Sequence, residues 1–304
     1  NTTADDNTAV GTASLKANTT GTGQVAVGMR ALLSNTTAAG NTAIGLDALR
    51  TNTTGSALVA IGANAMYSNT TGTSNVSLGH SSLESNTTAD SNTAIGRSAL
   101  SNNTTGASNV SVGAFSMNDN TTGHSNTAVG RGSLDANTTA VSNTAIGFCA
   151  MTTSTTGGDN TALGECAMKA LTTGTSNVAV GRRASCGLTT GITNVSIGRH
   201  TMEDLTTGNN NTALGDYAGS DAVSDISGSV SNNIVIGNNN NTEARIKIDW
   251  TVTSDLRDKT NIENVPYGLD FINQITPIKY DFKKSRENDT PTGRKRFGFS
   301  AQEI

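Results

Sequence analysis

Few residues in this sequence have the types and spacing for covalent chemistry, and the densest group lies late in the chain. In the stretch TSDLRDK, Ser254 and Lys259 stand five apart. A serine hydroxyl becomes a nucleophile when a base takes its proton, and a Ser–Lys pair is one known form of that arrangement. Lys259 can act as the base only if its pKa falls from about 10.4, which requires burial or a cationic neighbour such as Arg257. Spacing alone is weak evidence, because serine and lysine lie near each other in most sequences. Other candidates carry less. Cys149, Cys166 and Cys186 are an odd number in scattered positions, not a disulfide framework. Cys149 and Cys166 are 17 apart and read as small apolar residues stacked on neighbouring turns of a repeat. His80, His124 and His200 fall at different points of that repeat and make no metal line. No Cys/His spacing suits zinc, and the glycine–aspartate calcium repeat is absent. No metal and no cofactor is expected, nor an enzyme acting on other molecules, since the repeat offers no carboxylate pair or triad at a defined spacing.

The elements that must position any such site are dominated by repetition. The glycine of the segment NTAIG recurs from Gly11 and Gly28 through Gly96 and Gly113 to Gly215, always at an interval of 17 residues. A loose low-complexity segment would not hold that register. The three residues before each glycine are Thr or Val, then Ala or Ser, then an aliphatic residue, as in Thr93-Ala94-Ile95. This alternation marks a short strand with one β-branched face and one small face. A second apolar column lies four residues after the glycine, at Leu15, Leu32, Leu49 and Met66, and weakens at Ser185 and Gly219. N-T-T-G marks the turn, and its glycine is replaced at Ala38, Ala89 and Ala140, so that position does not demand positive φ.

One such unit cannot fold alone, because it buries about two aliphatic side chains against the ordering of 17 residues. Stacking the units in register solves this and predicts an all-β, parallel β-solenoid shaft over 1–219, with coils about 4.8 Å apart. The core of each coil is thin, and the Ala/Ser/Gly face would let other chains approach closely, so an oligomer sharing one core is expected. The block resembles the head repeats of trimeric autotransporter adhesins of the YadA type. That resemblance implies an intertwined homotrimer of β-rolls.

Three features of the shaft invite other readings. The NTT triplets at Asn18, Asn35 and Asn52 are formal glycosylation sequons, which the ladder explains without sugar. Regular threonines invite an ice-binding reading, although threonine is also a good strand and turn residue. Arg182, Arg183 and Arg199 cluster late in the shaft and could touch an acidic glycan; a solvated charged face explains them more simply.

After Gly215 the period fails. Residues 220–253 read as adapter, with IVIG at 234–237 as one last irregular coil and ARIKIDW as a strand. From Glu243 onward lie 11 of the 20 Lys/Arg, 10 of the 24 Asp/Glu, the only Trp and all three Pro, which marks a new domain. GLDFINQI has the apolar spacing of a short helix, PIKYDF reads as a strand, and RFGFSAQEI opens a strand–helix passage. A small α+β segment is therefore expected over 254–304.

The motifs SDLRDK, GLDFINQITPIKYDF and FGFSAQEI, in that order, closely resemble the start of the self-cleaving intramolecular chaperone domain of phage tail spikes and fibres, the endosialidase type. The resemblance implies a domain that drives trimerisation and then cuts itself off. It makes Ser254 the nucleophile, Lys259 its base, Thr253–Ser254 the scissile bond, and Asp255 and Arg257 supporting motif residues. The family domain extends past its AQE motif, so activity is expected only where that remainder is present.

Composition narrows the partners. A net charge of −4 gives no basic footprint for nucleic acid, and no apolar run is long enough to span a membrane. The expected protein is a trimeric viral fibre of the phage tail type, extracellular on the virion, binding itself and a host receptor, glycan among the candidates. A bacterial trimeric surface adhesin is the alternative, and an ice-binding solenoid a third reading.

Overall fold

The computed structural model describes residues 3–221, 224–243, 278–285 and 288–298. The chain divides into two units, Asn1–Asn239 and Asn240–Ile304.

The first unit is a parallel β-solenoid. Its strands are the three residues before each repeat glycine, from β1 (Thr8–Val10) and β2 (Val25–Val27) to β13 (Thr212–Leu214). A further strand, β14 (Ile234–Ile236), completes a 14-stranded sheet in sequence order. The register is fixed by the period: Thr8 pairs with Val25, and Val10 with Val27. At the last step Thr212 pairs with Ile234, so the expected irregular coil is present and five residues longer than the others. Bonding between coils continues outside the sheet, as in Leu100 N–H to the Ser116 carbonyl (3.0 Å) and Thr104 N–H to the Thr121 carbonyl (2.9 Å).

Four left-handed backbone positions turn each coil. In one coil these are Gly96 (φ 134°), Ser98 (53°), Leu100 (51°) and Ser108 (59°). Only the first requires glycine. A Cβ on Gly96 would lie 2.6 Å from the carbonyl carbon and oxygen of Gly113 one coil on, which no side chain tolerates. The N-T-T-G glycine is not among the positive-φ positions, as the alanines in its column foretell.

The core corrects the expected sense of the sheet. The Ala/Ser column points inward: Ala26, Ala43, Ala94 and Ser111 are fully buried. The aliphatic residue before the glycine points outward, with Leu78 43% and Leu163 44% exposed. The small face is thus the inner wall of the chain's own coil and not a surface for another chain. It packs with the second apolar column, where Leu32, Leu49, Met66 and Leu100 are fully buried. Many coils bury one large aliphatic side chain, such as Leu32 or Leu100, while others bury the two that were expected, as Leu49 with Leu58 and Met168 with Leu171 do.

Asparagine fills much of the remaining interior. In the NTT column, Asn103 donates from Nδ2 to Asn86 Oδ1 (3.1 Å) and to the Gly106 carbonyl (2.9 Å), and the pattern repeats from coil to coil. In the column before the strands, Asn109 N–H donates to Asn92 Oδ1 (2.9 Å), and Asn109 Nδ2 donates to the Gly123 carbonyl (2.9 Å). These amides are buried and bonded, so the NTT triplets from Asn18 to Asn137 present no accessible acceptor nitrogen. Further along, Leu171, Leu188 and Leu205 take over the first column. Serines in the inner wall are matched: Ser77 bonds Ser82, Ser111 donates to the Ser116 carbonyl (2.8 Å), and Ser185 donates to Ser196 (2.8 Å). That last pair explains the weak apolar column at Ser185. At Gly219 the gap is filled by Ile226 from the longer coil, 2% exposed.

The described part of the second unit is an antiparallel hairpin of β15 (Ile278–Ser285) and β16 (Asn288–Gly298), with Ile278 opposite Gly298 and irregular pairing after Asp281. Strand β15 takes in most of the expected PIKYDF strand. The expected strand at 244–250 and helix at 268–275 lie outside the described residues. No helix occurs among the described residues.

Candidate functional site

The residues assigned to self-cleavage, Thr253, Ser254, Asp255, Arg257 and Lys259, lie outside the described residues. The described ones offer two other surfaces with functional geometry: a charged cluster on the last coils and the outward face of the sheet.

The cluster grows from the repeat itself. Successive coils place Arg183, His200 and Tyr217 in one column, two residues after their glycines. Residues in a column lie one coil apart, so aromatic rings can stack: His200 and Tyr217 lie 4.8 Å apart with planes 3° from parallel. His200 Nδ1 bonds Glu203 (2.5 Å), which also pairs with Arg183. Arg199 makes a two-pronged contact with Asp216 at 2.9 and 3.0 Å. Arg182 faces Glu165 at 3.5 Å. Burial alone would raise the Glu203 carboxyl, but the His200 hydrogen bond and the charges of His200 and Arg183 outweigh it and hold it below the usual carboxylate range. The Arg199 hydrogen bond lowers Asp216 likewise. The three arginines noted in the sequence are therefore neutralised by acids of this chain. The cluster ties coils together and does not present a cationic surface.

The cysteines hold no special chemistry. All three are free and partly exposed, and burial pushes the thiols of Cys166 and Cys186 up, away from the reactive thiolate form. Cys149 and Cys166 stack on neighbouring coils as expected. No group of His, Cys, Asp and Glu able to hold a metal occurs among the described residues. No helix among them is long and apolar enough to cross a membrane.

The sheet's outward face is a surface that sequence reading missed. It consists of the Thr/Val column and the Val/Ile/Leu column, and neither contains a charge from Thr8 to Ile236. With a spacing of about 4.8 Å over 14 strands it is about 60 Å long, and two columns wide it covers on the order of 600 Å². Monomers seldom leave an apolar patch of that size uncovered. The alternation was visible in the sequence. Which side of it faced out was not.

Fold and surfaces together define a β-solenoid shaft with a laddered polar interior and an uncovered apolar flank. Residues 254–304 match the family described as chaperone of endosialidase. The match begins at Ser254 and includes the β15–β16 hairpin. No curated protein and no solved structure matches the chain.

Proposed function

We propose that this protein is a trimeric fibre of a phage tail, with the solenoid as shaft and the segment from Ser254 as an intramolecular chaperone that promotes trimerisation and then releases itself. The observation that carries this reading is the match of 254–304 to the chaperone of endosialidase, directly downstream of a rod-like shaft. The uncharged sheet face supports self-association. A partner covering it must repeat along the whole rod at the same spacing, and a second copy of the chain does so.

The cleavage step balances without a cofactor. Lys259 takes the Ser254 Oγ proton, and Oγ attacks the Thr253 carbonyl carbon. The Thr253–Ser254 C–N bond is exchanged for a C–O ester, and Lys259 returns its proton to the leaving nitrogen, freeing the Ser254 amine. Water then opens the ester, leaving a Thr253 carboxylate and the restored hydroxyl. Assembly of the trimer supplies the alignment that makes such a step fast. Loss of the chaperone leaves the shaft trimer behind a high unfolding barrier. The shaft serves host attachment on the virion exterior.

The test is the denatured intact mass of the gene product with its natural C-terminus, beside a Ser254→Ala twin. Two pieces meeting at Thr253/Ser254 in the wild type alone support the reading; one uncut chain in both overturns self-release. A bacterial surface adhesin is the second reading, favoured by the NTAIG coils. A membrane-barrel region elsewhere in the full gene would decide for it. An ice-binding solenoid is disfavoured because one of the two threonine columns donates its hydroxyls to the next coil, as Thr104 does to the Thr121 carbonyl (3.0 Å).

A further inference from the structure

We infer that the shaft edge carrying Arg97, Phe115, Arg131 and Phe148 is a binding strip for a linear carboxylated polysaccharide. The inference rests on the attachment reading above and supplies its surface and ligand class.

The strip stands out by contrast with the other arginines. Of the other arginines of the shaft, Arg30, Arg50, Arg182, Arg183 and Arg199 each face an acid of this chain. Arg97 and Arg131 have no acid partner among the described residues. Each lies over an aromatic ring of the next coil, Arg97 5.1 Å from the Phe115 centroid and Arg131 5.9 Å from that of Phe148. Cation and ring thus alternate over four consecutive coils. His80 extends the column one coil before Arg97 and is exposed. Between Asp47 and Glu165 this edge, one and two residues after each glycine, carries no acid, in a chain whose net charge is −4.

The geometry suits a sugar acid. A guanidinium stacked on a ring keeps its N–H edge free, and that edge matches the two oxygens of a carboxylate. Stacking also fixes the long side chain in advance, so less freedom is lost on binding. Phe148, 46% exposed, offers an apolar face for a pyranose ring. Arg97 and Arg131 are two coils apart, about 10 Å, the scale on which an extended polysaccharide with one acid per disaccharide repeats its charge. Nucleic acid fits less well, because two cations on an acidic chain give no phosphate-tracking field.

The test uses the full chain and fluorescence anisotropy at physiological salt. The probes are a labelled hyaluronan oligosaccharide, a labelled alginate oligosaccharide, the carboxyl-reduced form of each, and an oligothymidylate. The strip predicts binding of at least one acidic saccharide and of neither reduced form. An Arg97→Gln/Arg131→Gln variant should weaken it about tenfold or more, while Arg182→Gln leaves it unchanged. Both variants should keep the wild-type thermal unfolding, since these side chains are exposed. The inference is overturned if neither acidic saccharide binds, if the double variant binds as well as wild type, or if oligothymidylate competes equally. Sedimentation of the same samples separates the two readings: a trimer that binds no saccharide sinks only the strip, and a monomer that binds sinks only the fibre.

Discussion

Two residue types hold each coil to the next, and both can be tested singly. The repeat glycine is fixed by contact as well as by φ. Gly113→Ala would place a Cβ 2.6 Å from the backbone of Gly130 at φ 134° and should cost on the order of 3 kcal/mol in chemical denaturation. Gly132→Ala is the control: its φ is 63° and its nearest neighbour is Cys149 Sγ at 3.6 Å. Alanine there should cost about 1 kcal/mol. The asparagine ladder offers the opposite sign. It stops at Asn137, whose Oδ1 has no partner, and Ser154 on the next coil is also unpaired. Ser154→Asn should donate to Asn137 Oδ1 and raise stability by about 1 kcal/mol, read from the denaturation midpoint. The glycine requirement was legible from its spacing alone. That the asparagine ladder is buried was not, because asparagine beside Thr-Thr-Gly carries the ordinary signature of a turn. Only the closeness of identical amides one coil apart makes burial favourable.

At the scale of the element, the strand triplet was legible as a strand but not in its orientation. Hydrophobicity alone would turn Ile95 inward and Ala94 outward, whereas the narrow coil admits only the smaller side chain. The aliphatic column is left facing out and should be the seam between copies. Ile146→Lys with Leu163→Lys should leave the circular-dichroism melt of the coil nearly unchanged, since both side chains are exposed, and shift the sedimenting species to monomer. A trimer that survives both lysines would place the seam elsewhere. The last coils carry a different dependence. Glu203 and Asp216 titrate below their ordinary values of 4.5 and 3.8 in the folded chain. Their contribution is present in full above those values and is lost as pH falls through the lowered folded ones. Amide exchange in the coils around Arg199 should therefore quicken on acidification, earlier than in the coils around Leu100, and Glu203→Gln should flatten that difference.

For the whole molecule the period is the structural law. It was legible over the shaft, because an interval of 17 kept from Gly11 to Gly215 leaves parallel stacking as the economical arrangement. The proposed cleavage chemistry rests on three ordered motifs around Ser254 and Lys259, since a serine five residues from a lysine specifies nothing by itself. A solenoid whose coils contact only their neighbours should tolerate loss of a whole coil and not of a fraction. Deleting Asn92–Ser108 brings Asn109 into the place of Asn92 and Asn120 into that of Asn103, so every column continues. The shortened shaft should fold, with a slightly smaller denaturant slope in proportion to the surface removed. Deleting Asn92–Ala107 removes one residue fewer and displaces every later column by one position. Ala128 would be turned outward and Val129 inward, and the glycine column would meet side chains. That variant should lose the cooperative transition of all coils beyond the junction, measured as protection in amide exchange. Equal stability of the two deletions would mean that the coils are held by generic strand pairing and not by the columns of glycine, asparagine and alanine described above.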